Sequence, residues 1–146
     1  MEPTNAISDF LLLQKQLIDL YHGVIDRAAA DCGLSRPEAD VLLFLHNNPQ
    51  YNTARDVAEY RGVSRAYVSR AVELLLGRGL LRVEVHPTDR RYQLLGLTGE
   101  SAAVVDRLLA AQACFRARLT DGISPEEATV LRRIFVQISH NAAKSL

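Results

Sequence analysis

Apolar residues recur every three or four positions over most of this chain, the spacing that places them on one face of a helix. The first such stretch covers residues 8–32. The second opens at Ser35, which stands three residues before Glu38 as in a capping box. Later in the chain the spacing returns in two long stretches, of which Thr98 is predicted to cap the first and Ser124 the second. The pattern therefore predicts a mainly helical protein.

Two helices of different length are predicted to follow each other closely in the middle of the chain. Thr53 can cap the shorter helix and Ser64 the longer one, because a side-chain oxygen at the cap accepts from an unpaired backbone N–H. Gly62 lies in the turn between them, and Gly77 and Gly79 are predicted to end the second helix. A short helix, a glycine-containing turn and a longer helix are typical of a helix-turn-helix motif.

The spacing changes to strict alternation after the second helix, which indicates a β-strand. Leu81, Val83 and Val85 alternate with polar residues and are predicted to form the buried side of a half-buried strand. Proline and aspartate then favour a turn. The returning strand is predicted to contain Tyr92, Leu94 and Leu97. The predicted fold class is mainly α with a small β-hairpin, or wing, beside a helix-turn-helix.

Arginine side chains mark both the longer helix and the hairpin. Arg65 and Arg70 lie on the polar face of a helix, an element with the dimensions to enter a major groove. Arg90 and Arg91 lie near the hairpin tip, and an arginine is attracted to the narrow minor groove of A·T-rich DNA. Asp89 stands beside them, and a carboxylate can hold a guanidinium by two hydrogen bonds. This combination favours DNA recognition over a merely solvated polar surface.

The formal net charge is zero, which by itself argues against a nucleic-acid partner. The distribution of charge removes this objection, because residues 53–92 carry eight arginines against five carboxylates. The positive excess lies where the helix-turn-helix and the hairpin are predicted, and it can steer DNA to that part of the molecule. Arginine supplies 15 of the 17 basic residues, and its planar fork suits guanine edges and phosphates.

The sequence contains no motif typical of a catalytic or metal site. It has no glycine-rich phosphate loop, no nucleophile motif and no carboxylate pair at a recognisable spacing, so we expect neither enzyme activity nor a cofactor. The four histidines are scattered, so no metal site is expected, and His86 is expected to be a solvated turn residue. No stretch approaches the ~20 apolar residues of a membrane span, and the first five residues lack the basic start of a signal peptide. We therefore expect a cytoplasmic protein without membrane contact.

Five short motifs follow one another in the order found in one family of regulators. They are Ser64-Arg65, Ser69-Arg70, Arg78-Gly79-Leu80, Asp89-Arg90-Arg91 and Leu97-Thr98. On these motifs and the order of its elements, the chain resembles the winged helix-turn-helix of the MarR family of bacterial transcription regulators. The resemblance implies a single domain over residues 1–146. Its winged helix-turn-helix is implied at 35–97, flanked by dimerisation helices at 8–32 and 99–143.

The resemblance implies a homodimeric repressor on a palindromic operator, released by a small, often aromatic or phenolic, ligand. The long, apolar terminal helices agree with a homodimer, and packing within one chain is the other interpretation. Arg91 is implied to enter the minor groove while Asp89 holds it and Arg90 meets phosphate. Tyr92 departs from the family, which commonly has a small residue there. The residues expected at the DNA are Thr53, Arg55, Ser64, Arg65, Ala66, Tyr67, Ser69, Arg70, Asp89, Arg90 and Arg91.

A ligand pocket and a reactive thiol are two further features that the resemblance suggests. Cys32 is the candidate thiol because some relatives sense oxidants through a cysteine near the first helix; a small buried hydrophobe is the other interpretation. Three functions remain open: a ligand-responsive repressor, a thiol redox sensor with the same DNA-binding head, and a winged-helix interaction module that does not bind DNA. The candidate pocket residues, which serve equally well as core, are Tyr21, His22, Phe44, His46 and Tyr51.

Overall fold

The computed structural model describes residues 6–144, which form six α-helices and one two-stranded antiparallel sheet. The helices are α1 (Ala6–Asp31), α2 (Arg36–Asn47), α3 (Ala54–Arg61), α4 (Arg65–Gly77), α5 (Ala102–Leu119) and α6 (Pro125–Ala142). The strands are β1 (Leu81–Val85) and β2 (Gln93–Leu97), and a 3₁₀ turn at Gly99–Ser101 precedes α5. The predicted class, mainly helical with a small β-wing, is confirmed.

Hydroxyl side chains cap four helices where the sequence predicted them. In α4, Ser64 Oγ accepts from the backbone N–H of Tyr67 at 3.1 Å. Thr53 and Ser124 each form a capping box with an acidic residue three positions later, so two otherwise unpaired donors are satisfied together. At the start of α2, the backbone N–H and the hydroxyl of Ser35 both donate to Glu38 Oε1, at 3.1 Å and 2.8 Å. The four caps are Ser35, Thr53, Ser64 and Ser124.

Thr98 does not cap α5, contrary to the prediction. Its hydroxyl donates to the carbonyl oxygen of Gly79 at 2.7 Å, and the 3₁₀ turn comes before the helix. The hydroxyl of Ser101 in turn donates to the carbonyl oxygen of Thr98 at 2.7 Å. The reason is tertiary: the pairing of β1 with β2 brings the loop before β1 within reach of Thr98. The residue therefore fastens the end of β2 to that loop.

Two glycines set the backbone turns on either side of α4. Gly62 has a φ of 64° and Gly79 a φ of 72°, in the left-handed region that glycine adopts without a steric penalty. Both were predicted at turns. Gly77, which was predicted to help end the helix, is instead the last residue of α4 itself.

The hydrophobic core is centred on α2, whose residues from Glu38 to Leu45 are all buried. α4 packs its apolar face on this core, and α1, α3, the base of the hairpin and α5 close it from other sides. The largest fully buried apolar side chains are Ile25, Leu42, Leu75, Leu108, Val41, Val57 and Val68. The helix-turn-helix is thus built directly onto the most buried helix.

Only the base of the hairpin takes part in this core. β1 and β2 pair with Leu81 opposite Leu97, and Leu81 and Leu95 are buried. Val83 and Val85 are 39% and 61% exposed, so the prediction of a half-buried strand is wrong for them. A two-stranded ribbon extends beyond the helices that cover its base, and alternation alone cannot show where that cover ends.

The chain divides into two compact units between Ala113 and Cys114. The first contains α1 to α4, the hairpin and most of α5. The second contains the end of α5 and α6, and no described residue of α6 is buried. Within residues 6–144, no helix is both long enough and apolar enough to cross a membrane.

Candidate nucleic-acid interface

A buried aspartate on α2 fixes α3 and α4 relative to each other. Asp40 accepts a hydrogen bond from Arg61 Nη2, at the end of α3, at 2.7 Å. It accepts a second from the hydroxyl of Tyr67, in the first turn of α4, at 3.0 Å. Because Asp40 is only 8% exposed, water screens these charge-assisted bonds little. One carboxylate therefore orients both helices of the helix-turn-helix.

The hydroxyl of Tyr67 points into the protein, where it is bonded to Asp40. Burial and the nearby Asp40 carboxylate raise the pKa of Tyr67 to about 12, because both disfavour the phenolate. Because the hydroxyl already donates to Asp40, the part of Tyr67 left to contact DNA is its aromatic ring, and this contact stays a prediction.

The first two turns of α4 present polar side chains to solvent. Arg65, Ala66, Ser69 and Arg70 are all exposed. Arg70 Nη1 lies 3.0 Å from the carboxylate of Glu73. Within residues 6–144, no carboxylate forms an ion pair with Arg65. Arg65 is therefore a cation whose charge is available to an external anion.

A small cavity of about 180 Å³ opens between the first turns of α3 and α4. Its lining combines two guanidinium groups and a hydroxyl, from Arg55, Arg65 and Ser69, with the methyl group of Ala54. Arg55 Nε donates to Glu59 at 2.7 Å, and this hydrogen bond raises the pKa of Arg55. Side chains of these types are those that contact DNA phosphates in protein complexes. The hydroxyl of Thr53 lies at the start of α3 but is engaged as its cap.

The sequence-predicted pairing of Asp89 with Arg91 is present at the wing tip. Arg91 Nε donates to Asp89 Oδ1 at 3.0 Å and Arg91 Nη2 donates to Oδ2 at 2.8 Å. The bonds from Arg91 lower the pKa of Asp89, and the carboxylate raises the pKa of Arg91. The Arg91 side chain is 87% exposed whereas that of Asp89 is 27% exposed. The carboxylate therefore fixes the direction of a guanidinium that solvent can reach.

Residues 33–91 match the sequence model of the MarR family. The matched range starts just before α2 and ends on Arg91, so it contains the whole helix-turn-helix and the wing pair. Over these residues the chain is similar to the MarR family.

Solved structures of other regulators have the same fold. The chain matches the transcriptional regulator PA3341 with 26% identity and a TM-score of 0.80, over 91% of this chain and 97% of that one. It matches CouR from Rhodococcus jostii RHA1, solved with p-coumaroyl-CoA, with 22% identity and a TM-score of 0.78, over 98% of each chain.

A third match is BpsR of Bordetella bronchiseptica, whose DNA binding is regulated by 6-hydroxynicotinic acid. The identity is 23% and the TM-score 0.69, over 90% of this chain and 98% of BpsR. At these identities the likeness to CouR and BpsR establishes the fold alone. The match to the MarR model and to a transcriptional regulator supports a DNA-binding transcriptional regulator and not an enzyme.

The five residues predicted for a ligand pocket lie in three places in the structure. Tyr21 and His22 are neighbours on α1. The hydroxyl of Tyr21 accepts from Gln112 Nε2 of α5 at 2.9 Å, and the side-chain oxygen of Gln112 is 3.5 Å from Asn47 Nδ2 of α2. Tyr21 therefore takes part in a polar connection between α1, α5 and α2.

The other three candidate pocket residues lie in two further places. Phe44 and Tyr51 both pack against Tyr60, with ring centroids 6.0 Å and 4.5 Å apart respectively. His46 lines a cavity of about 360 Å³ between the end of α2 and the base of the hairpin, together with Arg82 of β1. None of the other four candidate residues lines this cavity.

Cys32 follows α1 and packs, half-buried, against the core. The guanidinium of Arg78 approaches it but donates to the backbone carbonyls of Cys32 and Gly33, at 3.2 Å and 2.5 Å. Arg36, a cation close to Cys32 in sequence, is paired with Asp26 on α1 and lowers the pKa of that carboxyl. These two arginines are thus bound to backbone carbonyls and to a carboxylate.

Sequence reasoning missed two polar residues that organise the interface. Asp40 stands in an apolar stretch of α2, and its partners lie 21 and 27 residues further along the chain. His86 was expected to be solvated, but its ring accepts hydrogen bonds from the wing backbone. For Asp40 no local signal exists. For His86 a signal does exist, because a side chain with an acceptor just before a Pro-x-Asp turn is placed to bond the turn.

Proposed function

We propose that this protein is a MarR-family regulator: a homodimeric, ligand-responsive repressor of a palindromic operator, with α4 in the major groove and Arg91 in the minor groove. The observation that carries the proposal is the wing pair, in which Asp89 holds the exposed Arg91 guanidinium by two hydrogen bonds. A side chain ordered before binding loses less conformational freedom on binding. A guanidinium pointing from a wing tip also suits the negative potential of a narrow minor groove.

The exposed start of α4 supports the major-groove contact. Arg65 is the first residue of α4 after the Ser64 cap, and the N-terminal part of a recognition helix is the part that contacts base edges. Arg70 lies further along the exposed face. An arginine can bond guanine through two hydrogen bonds, or a phosphate at the groove edge. Both interactions need a guanidinium that the protein leaves accessible, as it leaves that of Arg65.

The apolar surface of α6 supports the homodimer. No residue described in α6 is buried, although the helix carries a stripe of large apolar side chains. Covering such a stripe gains roughly 25 cal/mol per Å² of apolar surface removed from water. A second copy supplies the same stripe, and two-fold symmetry then presents two α4 helices to successive major grooves. The side chains of this stripe are Val130, Leu131, Ile134, Phe135 and Ile138.

Two of the similar structures support a small aromatic effector. CouR was solved with p-coumaroyl-CoA, and BpsR responds to 6-hydroxynicotinic acid. In this chain the cavity of His46 and Arg82 touches both α2 and the hairpin. A ligand bound there contacts the wing base, and it shifts the DNA-binding equilibrium if it binds one arrangement of the wing more tightly than the other. We propose this cavity as the first place to search.

The thiol-sensing alternative rests on Cys32. Since its side chain packs against the core and the arginines near it bind other groups, no observation favours this alternative over the ligand-responsive repressor. Peroxide treatment of the wild type and of Cys32→Ser, followed by operator binding, separates the two. Equal operator affinity of the treated proteins removes the alternative.

The proposal is tested by binding to the DNA upstream of the protein's own gene, measured by fluorescence anisotropy at several salt concentrations. We expect Arg91→Ala to weaken binding at least about tenfold, and Arg65→Ala to cost about 1–3 kcal/mol if Arg65 reads a base. If Arg65 holds phosphate instead, its replacement lowers the salt slope by about one and weakens all sequences alike.

Arg107→Ala is the matched control for both variants, because Arg107 is an exposed arginine on α5 outside the helix-turn-helix and wing. We expect it to bind the operator like the wild type. An Arg91→Ala protein that binds as tightly as this control removes the wing from the mechanism. Repeating the assay with a panel of aromatic acids tests the effector, and no change in affinity with any of them counts against it.

A further inference from the structure

We propose that His86 is a positioning residue of the wing: its imidazole fixes the backbone at Thr88 and Asp89 and thereby sets the direction of Arg91. This inference rests on the proposed contact of Arg91 with DNA. His86 directly follows β1 and is half-buried. Its Nδ1 accepts from the backbone N–H of Thr88 at 3.2 Å and from that of Asp89 at 3.1 Å.

These hydrogen bonds define the protonation state of the ring. A nitrogen that accepts from two N–H groups carries no proton, so the neutral ring has its proton on Nε2. The hydroxyl of Thr88 lies 3.2 Å from the same Nδ1. The ring thus acts as an acceptor at the centre of the turn, in the way that asparagine and aspartate side chains stabilise turns.

A second pair of bonds closes the loop on its other side. The N–H of His86 donates to the carbonyl oxygen of Tyr92 at 3.3 Å, and the N–H of Tyr92 donates to that of Asp89 at 3.2 Å. The rings of His86 and Tyr92 lie 6.2 Å apart. Asp89 is therefore fixed at its N–H by the His86 ring and at its carbonyl by Tyr92, and its carboxylate is left for Arg91.

Hydrogen bonds keep the wing loop in one conformation, because few apolar side chains cover the outer part of the hairpin. Val85, next to His86, is 61% exposed, and the residues between His86 and Tyr92 are solvent-accessible. A loop without a packed core remains ordered only if local bonds offset its conformational entropy. In this geometry His86 is connected to Arg91 through Asp89.

Three substitutions distinguish the hydrogen-bond acceptor of His86 from the packing of its ring. His86→Ala removes both, and His86→Phe keeps an aromatic ring against Tyr92 but has no acceptor. His86→Asn restores a side-chain oxygen that can accept from backbone N–H groups two or three residues later. If the acceptor matters, we expect the alanine and phenylalanine variants to bind the operator about five- to tenfold more weakly and the asparagine variant to bind within about twofold of the wild type.

A double mutant tests whether His86 acts through Arg91. In the Arg91→Ala background, His86→Ala is expected to cause no further loss of affinity, because the group that it positions is already absent. A loss of equal size in both backgrounds overturns the proposal, since His86 then acts on DNA independently. So does full wild-type affinity of His86→Ala.

Nuclear magnetic resonance of the DNA-free protein keeps this test separate from the proposed function. We expect the backbone amides of Thr88 and Asp89 to exchange faster in His86→Ala than in wild type and His86→Asn. In the neutral ring of wild-type His86 we expect the Nδ1 resonance to be that of an unprotonated nitrogen. If Arg91→Ala binds the operator normally, the proposed contact between Arg91 and DNA is wrong. Slower amide exchange in His86→Asn than in His86→Ala still supports the role of His86 in positioning the wing. Unchanged exchange in His86→Ala overturns it.

Discussion

Tyr67 fixes α4 through a hydrogen bond to the protein core. It stands in the first turn of α4, and its hydroxyl bonds the carboxylate that also holds Arg61 at the end of α3. The sequence analysis predicted Tyr67 among the residues at the DNA. The position of Asp40 on α2 decides that the hydroxyl turns inward.

We expect Tyr67 to stay protonated far above the ordinary range of tyrosine. Its pKa is about 12 in the folded protein against 10.0 ordinarily. The folded state thus favours the neutral phenol, and the stability gained is present below pH 10 and is lost as the pH rises through about 12. At about pH 11, native wild type and Tyr67→Phe should therefore show nearly equal phenolate absorbance.

The control for this titration is the unfolded protein. In guanidinium chloride at the same pH, the wild type should show one more ionised tyrosine than Tyr67→Phe. Circular dichroism of the native samples verifies that they are folded. A full tyrosine difference between the native proteins would show that Tyr67 is not held by Asp40.

The wing pair was predictable at the residue scale because its partners are two positions apart. Asp89 and Arg91 share a turn whatever the rest of the fold does, and the predicted two hydrogen bonds are found. The role of this pair at DNA remains a proposal.

Among the elements, α3 and α4 show how much local chemistry determines. Thr53 and Ser64 cap the two helices, and Gly62 takes the left-handed conformation between them. A cap needs only a hydroxyl and a free N–H three residues later, and the turn needs only a residue without a Cβ. The helix-turn-helix was therefore visible in the sequence.

We expect Gly62→Ala to destabilise the protein and Gly77→Ala not to. Gly62 has a φ of 64°, where a side chain costs about 1–2 kcal/mol, although no heavy atom lies within 4 Å of the added Cβ. Gly77 is the last residue of α4 with equally open space, and alanine there should be neutral or stabilising by up to about 1 kcal/mol. Urea unfolding of both variants measures the difference. Equal stability of the two would show that backbone strain does not govern this turn.

The hairpin shows where element-level prediction stops. Alternation correctly predicted two strands. However, Tyr92 lies just before β2, and two valines of β1 face solvent. Which part of a ribbon is covered depends on the helices placed against it, and those are distant in sequence.

At the scale of the whole molecule, α6 poses the main question. Its Ser124 cap and its apolar spacing were both predicted, and both are present. The stripe is exposed in the single chain, so the surface that covers it can be identified only in the assembled protein. The single-domain organisation and the homodimer both stay predictions.

We expect Ile134→Glu to dissociate the homodimer. Ile134 is 42% exposed within the apolar stripe of α6, and each protomer then loses the burial of an isoleucine, about 1.5–3 kcal/mol. A charge is also placed where the partner packs. Sedimentation equilibrium should show a monomer at concentrations where the wild type is a dimer, and operator affinity should fall with it.

Arg133→Glu is the control, because it changes more charge on the same helix and lies outside the apolar stripe. It should remain a dimer. If Ile134→Glu sediments like this control, α6 does not form the dimer interface.

The sequence by itself determined the helices, their four serine and threonine caps, the Gly62 turn and the Asp89–Arg91 pair, because each depends on residues within a few positions. Only the tertiary structure decided that Thr98 bonds Gly79, 19 residues away, and that Tyr67 bonds Asp40, 27 residues away. It also decided which hairpin residues are buried. The physical reason is the same throughout: a cap or turn is satisfied by its own backbone, whereas burial and long-range hydrogen bonds depend on which elements pack together.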